Sequence, residues 1–275
     1  WVRRVSPEDE HSRHTRVDTT MVSSQRWRTL GIEGAVGKRA RHLWERQGHH
    51  ANALLLLFIL AAAGWLRFDG LDWALPHIAH PDEARVVGHV IASPSGSPGP
   101  LFSDYGTVPF HLLRLVGSVA AVIAPGYSIY DAEDVVFTYV LARSVAAALG
   151  VGTVVLVYLA GAAAYGRNAG LLAAAFMAFS VLGIQQSHSF TVDVVLVFWT
   201  ALFLALGLRL IDRPRDYLYV GLALVTGIAV ATKFVALFLL LPLVLAYFFA
   251  GKKSDTDRGV AWHLPSFSMR LATYL

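Results

Sequence analysis

Long apolar runs dominate this chain and limit what it can fold into. A helix needs about 20 apolar residues to cross the hydrocarbon core of a bilayer. Runs of roughly this length occur near 51–67, 136–164, 169–187, 190–210, 217–232 and 234–250. Because lipid offers the backbone no hydrogen-bond partners, each run must form a helix. The sequence therefore predicts an all-α polytopic bundle of about six transmembrane helices.

The composition agrees with an integral membrane protein. Of the 275 residues, 55% are hydrophobic and 15% are charged, against about 25% charged residues in soluble domains. There is no cysteine, which excludes disulfide frameworks and cysteine-ligated metals. The histidines of the amino-terminal segment lack the regular spacing of a metal site. We therefore assign no metal site and no cofactor, and leave a divalent metal as an open alternative.

Basic residues indicate the orientation of the helices. Cytoplasmic loops are enriched in Lys and Arg, and basic residues here occupy 1–50, Arg167, 209–215 and 252–253. Six spans place all of them inside the cell if the apolar stretch 108–124 forms an interfacial helix instead of crossing. The prediction is a basic, largely disordered cytoplasmic tail (1–50), a transmembrane catalytic module (51–250) with an outer loop (67–134), and a cytoplasmic carboxy-terminal segment (251–275).

The outer loop contains an acidic pair in the sequence His80-Pro81-Asp82-Glu83. One interpretation is local: Pro81 starts a helix, and the two acids complement its amino-terminal dipole. The other is chemical: a carboxylate at the mouth of a cavity between helices can accept a proton from a bound hydroxyl. Both interpretations stay open, and Asp82 and Glu83 are the candidate catalytic residues.

Further polar residues are predicted at the same outer face. Thr191 could cap a helix with Asp193 in its first turn. Asp193 and His188 nevertheless lie near a span, where a charge costs about 2.5–3.5 kcal/mol, so both are candidate substrate-binding residues. Lys233 interrupts an apolar stretch and either snorkels from a helix end or binds a phosphate as a point charge.

Three more residues are candidates for substrate contacts. Arg143, two turns into the second span, either binds a phosphate or pairs with Asp134 or Glu133. Asp104 and Tyr105 precede the interfacial helix, where tyrosine is also an ordinary membrane-interface anchor.

The order and spacing of short motifs over 51–250 carry a resemblance to a known family. The motifs are His80-Pro81-Asp82-Glu83, Tyr105-Gly106-Thr107-Val108-Pro109, Ala142-Arg143-Ser144, Tyr165-Gly166-Arg167, Ser187-His188 with Thr191-Val192-Asp193, and Ala231-Thr232-Lys233-Phe234. In these the chain resembles the amino-terminal half of membrane glycosyltransferases of the GT-C fold. The group is the glycosyltransferase 39 and protein O-mannosyltransferase-like one, which uses phospholipid carriers. Relatives often have a Pro-Pro-Leu segment where this chain has Gly-Thr-Val-Pro, and they continue for many further helices.

The resemblance implies a polyprenyl-phosphate-linked sugar as donor and a reaction at the extracytoplasmic face of the cell membrane. Asp82 matches the position of the family's catalytic base, and Asp193 matches its second outer-loop acid. The acceptor would be a hydroxyl of a protein, lipid or glycan, and direct displacement of the lipid phosphate predicts inversion at the sugar. We expect contacts with membrane lipid and none with nucleic acid. The alternatives are a lipid or solute transporter and a non-catalytic membrane subunit or fragment.

Overall fold

The structure is a computed structural model that describes residues 35–94, 105–131 and 133–246, with side chains from residue 50 onward. The chain divides into two compact units, Trp1–Ala51 and Asn52–Leu275. In the first unit only helical backbone from Ala35 is described. Most of the predicted cytoplasmic tail, the candidate Asp104 and the predicted segment 251–275 lie outside the described residues.

All regular elements in the described part of the chain are helical, which confirms the predicted fold class. The α-helices are α1 (Ala35–Phe68), α2 (Pro81–Ala92), α3 (Val108–Ile123), α4 (Val135–Tyr165), α5 (Arg167–Ala178), α6 (Val181–Ser187), α7 (Val192–Asp212) and α8 (Asp216–Thr232). A 3₁₀ helix follows at Phe234–Leu239. The described part of the segment predicted to be the outer loop therefore contains two helices, α2 and α3, and α3 lies where the interfacial helix was predicted.

Among the described residues, three helices are long and apolar enough to cross a membrane: His50–Phe68 within α1, α4 and α7. A fourth candidate is α5 together with α6, which are bent by 59° at a short break. The apolar helices α3, α8 and Phe234–Ala246 are shorter. These helices agree with an integral membrane protein, and the six-span topology stays a prediction.

The break between α5 and α6 replaces the continuous span predicted at 169–187, and two sets of hydrogen bonds stabilise it. The Ser180 hydroxyl accepts a hydrogen bond from the Gly183 N–H and so caps α6. The buried Arg67 guanidinium donates to the carbonyls of Met177 and Ala178, each at 2.9 Å, at the end of α5. Helix termini leave backbone groups without partners, and these side chains supply them.

Helix α4 is the centre of the bundle and packs against α5 and α7. Its approach to α5 is close because small residues face each other, as the Ala- and Gly-rich sequence predicts. A Cβ atom at Gly170 would press against the Tyr158 carbonyl and Ala162. The turn between the two helices uses Gly166 at φ 88°, a left-handed conformation that glycine adopts without steric cost.

The segments that were predicted to lie outside the cell meet at one end of the bundle. His188, after α6, lies with Nε2 2.9 Å from the carbonyl of Asp69, after α1. The Gly106 N–H, before α3, donates to the Thr232 carbonyl at the end of α8 (3.0 Å). A side chain at position 106 would overlap the Ala231 carbonyl, so this approach requires glycine. The outer loop, the turn near 188 and the turn at 233 therefore meet at one end, as a six-span topology requires.

Candidate functional site

The amino terminus of α2 carries the acidic pair and has the predicted local structure. His80 is the N-cap, and its Nδ1 accepts a hydrogen bond from the Asp82 N–H (3.2 Å). Pro81 begins the helix, and both acids lie in its first turn, where negative charge stabilises the helix dipole. The two carboxylates point to different surroundings, since Asp82 is half-buried and Glu83 is fully buried.

Glu83 forms a buried, bidentate ion pair with Arg143. Arg143 Nε donates to Oε1 and Nη2 donates to Oε2, both at 2.9 Å, and both side chains have no exposed surface. Arg143 Nη1 also donates to the carbonyls of Leu71 (2.8 Å) and Trp73 (2.9 Å). Glu83 Oε1 accepts in addition from the Phe190 N–H (3.1 Å). The pair therefore joins the start of α2, the third turn of α4 and two loops.

This pairing differs from what was expected of both residues. Glu83 was a candidate catalytic residue beside Asp82, and it lies in the interior instead. Arg143 was expected to bind a phosphate or to pair with Asp134 or Glu133, and it pairs with Glu83. Asp134 accepts a hydrogen bond from the Ser128 N–H instead (2.8 Å). The contacts of Glu83 and Arg143 are those of residues that hold the site's framework together.

Asp82, Tyr105, Lys233 and Asp193 lie next to one another and are called here the Asp82 cluster. Tyr105 Oη donates to Asp82 Oδ1 (2.8 Å), and Lys233 Nζ lies 5.9 Å from the centroid of the Tyr105 ring. Lys233 Nζ donates to Asp193 Oδ1 (2.7 Å), with the two side chains 32% and 48% exposed. The cluster is therefore open to solvent and ligands, unlike the Glu83–Arg143 pair.

Hydrogen bonding fixes the protonation of two members of the Asp82 cluster. The hydrogen bond to Asp82 raises the pKa of Tyr105 above its ordinary value, so the phenol stays neutral and donates its proton. The hydrogen bond to Asp193 raises the pKa of Lys233, so the ammonium stays charged. Lys233 is thus a cation at neutral pH that is hydrogen-bonded to Asp193 and lies beside the Tyr105 ring.

Helix ends position these side chains. Asp193 lies in the first turn of α7, which Thr191 caps by accepting a hydrogen bond from the Val194 N–H (3.4 Å), as predicted. Lys233 follows the last residue of α8 in an extended conformation, φ −158° and ψ 131°. Tyr105 is brought beside Lys233 by the adjacent hydrogen bond between Gly106 and the end of α8.

Arg85 is a neighbour of the Asp82 cluster that sequence reasoning missed. Its guanidinium carbon lies 5.5 Å from the centroid of the Tyr105 ring, and its side chain is exposed. Residues three apart on a helix share a face, so a helix starting at Pro81 would have placed Arg85 beside Asp82. The cluster therefore has a second cation within reach of a ligand.

His188 lies with a different set of residues. Its Nδ1 and Nε2 each lie 2.9 Å from a backbone carbonyl, those of Ile184 and Asp69, and no described contact joins it to the Asp82 cluster. It lines a cavity of about 610 Å³ together with Trp73, Gln186 and His80. His80 also caps the helix that carries Asp82, so this cavity adjoins the cluster.

The Asp82 cluster contains a proton acceptor and cations side by side. A half-buried carboxylate can act as a general base, and Lys and Arg can stabilise a leaving phosphate. Among the described residues, no group of three or more His, Asp or Glu side chains is arranged to hold a metal ion.

A comparison with known protein families covers part of this site. Residues 135–265 match the family model of the dolichyl-phosphate-mannose-protein mannosyltransferases. The match includes Asp193 and Lys233, whereas Asp82 and Tyr105 precede it. It confirms the predicted resemblance over these residues and supports a membrane glycosyltransferase of the mannosyltransferase type. No curated protein and no solved structure shows a significant match to the chain.

Proposed function

From the match of residues 135–265 to the dolichyl-phosphate-mannose-protein mannosyltransferases, we propose that this chain transfers a sugar from a polyprenyl-phosphate donor to an acceptor hydroxyl at the extracytoplasmic membrane face. The observation that carries the proposal is the Asp82 cluster. It combines a half-buried carboxylate with Lys233, and it lies at the end of the bundle where the outer loop meets the helix ends.

In this mechanism Asp82 accepts the proton of the acceptor hydroxyl while that oxygen attacks the anomeric carbon. The bond between the anomeric carbon and the phosphate oxygen breaks, and polyprenyl phosphate leaves with the bonding electrons. Attack opposite the leaving group inverts the anomeric configuration. The Tyr105 phenol, already donating to Asp82, orients the carboxylate, and Asp193 holds Lys233 in place.

Lys233 and Arg85 are proposed to bind the donor phosphate. Lysine binds phosphate as a compact point charge, and positive charge at the departing phosphate stabilises the transition state. Directly after Lys233, the 3₁₀ helix exposes Phe234 (67%) and Phe238 (80%). A cation next to exposed apolar surface suits a lipid phosphate, whose chain remains in the bilayer while its head group reaches the site.

The replacement Asp82→Asn tests the proposed base. It keeps the side-chain volume but removes the carboxylate, and general-base catalysis is typically worth about 10²–10⁴-fold. We expect the release of polyprenyl phosphate from polyprenyl-phosphate mannose by the reconstituted protein to fall at least about 100-fold. The matched control is Asp72→Asn, which changes an exposed acid of the same loop and should leave the rate unchanged. Wild-type turnover by Asp82→Asn, with both variants equally stable, would exclude Asp82 as the base.

A further inference from the structure

A second feature at the same end of the bundle is the cavity lined by His188. Its volume of about 610 Å³ lies within the range of about 300–1,000 Å³ typical of small-molecule sites. It opens between the loop after α1 and the short helix α6, so its walls come from both sides of the bundle end. Such a volume accommodates a sugar ring with its attached hydroxyls.

Two side-chain amides give the cavity a polar wall. Gln185 and Gln186 both line it, and neither side chain is hydrogen-bonded to any residue in the part of the chain that the structure describes. Each amide offers two donors and an acceptor, which matches the mixed donor and acceptor character of sugar hydroxyls. Polar groups within a candidate span are costly to insert, and α6 belongs to such a span. Gln185 is exposed and Gln186 is half-buried, so both amides can meet a polar ligand that enters the cavity.

Trp73 gives the same cavity an apolar wall. Its indole N–H donates to the His188 carbonyl (3.2 Å), and the Arg143 guanidinium carbon lies 5.4 Å from its ring centroid. These contacts fix the ring, and the side chain nevertheless remains 42% exposed and lines the cavity. A rigid aromatic surface buries apolar area at low entropic cost, and the C–H face of a pyranose ring provides a flat apolar partner.

We propose that this cavity is a subsite for a pyranose ring, with Trp73 packing on the ring face and Gln185 and Gln186 hydrogen-bonding its hydroxyls. The link to the Asp82 cluster is His80, which lines the cavity and accepts a hydrogen bond from the Asp82 N–H. The subsite deepens the proposed transferase function and rests on it for its role. The ring belongs either to the sugar of the donor or to a glycan acceptor.

Binding is measured on the Asp82→Asn protein in nanodiscs, so that the result does not depend on turnover. The probes are methyl α-mannopyranoside and methyl α-glucopyranoside, observed by saturation-transfer NMR. We expect at least one probe to bind, and the double replacement Gln185→Met with Gln186→Met to weaken its binding at least tenfold. Methionine keeps the chain length and helix propensity of glutamine but not its hydrogen bonds. Failure of both probes to bind, or equal binding by the glutamine variant, would overturn the subsite.

Tryptophan variants test the apolar half of the subsite. Trp73→Ala should weaken binding at least tenfold, while Trp73→Phe, which keeps a ring for stacking, should retain more affinity than Trp73→Ala. The control is Trp65→Ala, which removes a 72% exposed tryptophan of α1 that does not line the cavity. Equal binding by Trp73→Ala and Trp65→Ala would also overturn the proposal.

Kinetics of the glutamine and tryptophan variants, made in protein that keeps Asp82, show whether the bound ring is the donor sugar or part of a glycan acceptor. A raised KM for the lipid donor with an unchanged kcat assigns the subsite to the donor sugar, and a raised KM for the acceptor assigns it to a glycan. If Asp82→Asn retains full turnover while the probes still bind as expected, the proposed base fails and the sugar subsite stands. If turnover is lost and neither probe binds, the base stands and the subsite fails.

Discussion

Glu83→Gln is the perturbation whose effect follows most directly from the structure. The change keeps the shape of the side chain but removes its charge, and it turns an N–H₂ group toward the donors of Arg143. Breaking a buried ion pair by removing one charge costs about 3–5 kcal/mol, because the remaining charge is left uncompensated. Both side chains are fully buried, so solvent cannot take over that compensation. We expect a loss of stability of this size.

Removing both charges should leave the protein less stable than the parent. In many proteins an apolar replacement of a whole buried pair is nearly neutral. Here Arg143 also donates to the Leu71 and Trp73 carbonyls, and Glu83 also accepts from the Phe190 N–H. These three backbone groups lose their partner in Glu83→Leu with Arg143→Met, and the hydrogen bonds of Leu71 and Phe190 are the two that are buried. A buried polar group without a partner costs about 1–3 kcal/mol. The double variant should therefore remain destabilised by about 2–6 kcal/mol.

A double-mutant cycle on equilibrium unfolding in detergent micelles measures these quantities. The single variants Glu83→Leu and Arg143→Met, the double variant that combines them and the parent protein form the cycle, and Glu83→Gln is measured beside it. A useful control is Glu133→Gln, which changes an exposed acid that was one of the candidate partners of Arg143. If Glu83→Gln proved as stable as Glu133→Gln, the pair would not hold the bundle end together and our reasoning about Glu83 would be wrong.

Four further outcomes are expected at the Asp82 cluster and beside it. Lys233→Met should lose transfer activity yet change the free energy of unfolding by only about 0.2–1 kcal/mol, because the ion pair with Asp193 is partly exposed and screened by solvent. Thermal unfolding and turnover of the same variant measure the two effects. Because the pKa of Lys233 is raised in the folded protein, the pair with Asp193 stabilises the fold at pH values below the unfolded pKa of lysine, and this stabilisation disappears as the pH rises through the higher folded pKa. Lys233→Met should abolish this loss of stability at alkaline pH. A pH profile of stability that Lys233→Met leaves unchanged would contradict the assignment. Gly106→Ala should reduce transfer at least tenfold by forcing the loop away from α8, whereas Gly64→Ala, with open space around its Cβ, should be silent in the same assay. Tyr105→Phe removes one hydrogen bond to a charged group, worth about 1.5–3 kcal/mol, so kcat/KM should fall about tenfold or more; an unchanged kcat/KM would show that the phenol does not orient the base.

The sequence predicts much of the bundle because the membrane imposes simple rules on it. Apolar length and the distribution of basic residues place the loop of Asp82 and the turns of Asp193 and Lys233 on one face. The structure places these three residues together at one end of the bundle. Their convergence follows from topology, since helices that alternate in direction bring every second connection to the same end.

Which acid of the pair faces inward was less obvious, although a signal for it exists. Glu83, Val86, Val87 and Val90 are all fully buried, and their spacing is that of one face of a helix. That stripe turns Glu83 toward the interior and leaves Asp82 at its edge. A prediction that treats the two acids as one unit misses this stripe and places Glu83 beside Asp82 in the cleft.

Two other features depend on tertiary contacts that no local pattern reveals. The break of the predicted span at 169–187 depends on Arg67, which lies far away in the sequence and binds the carbonyls at the end of α5. The sugar subsite joins Trp73 to Gln185 and Gln186 across the bundle end. Residues this distant come together through packing, so single-sequence reasoning did not bring them into one site.

The hydrogen bond between Gly106 and the end of α8 ties the chemistry to the bilayer itself. Helix α8 has 17 residues, or about 25 Å at 1.5 Å per residue, and a typical hydrocarbon core is about 30 Å thick. In the predicted six-span topology α8 crosses the membrane, and a span shorter than the hydrocarbon core responds by shifting or by thinning the lipid around it. Such a shift would move the loop segment before α3 that contains Tyr105, and it would thereby change the hydrogen bond from Tyr105 to Asp82. Under the proposed mechanism, membrane thickness would then affect the position of the base.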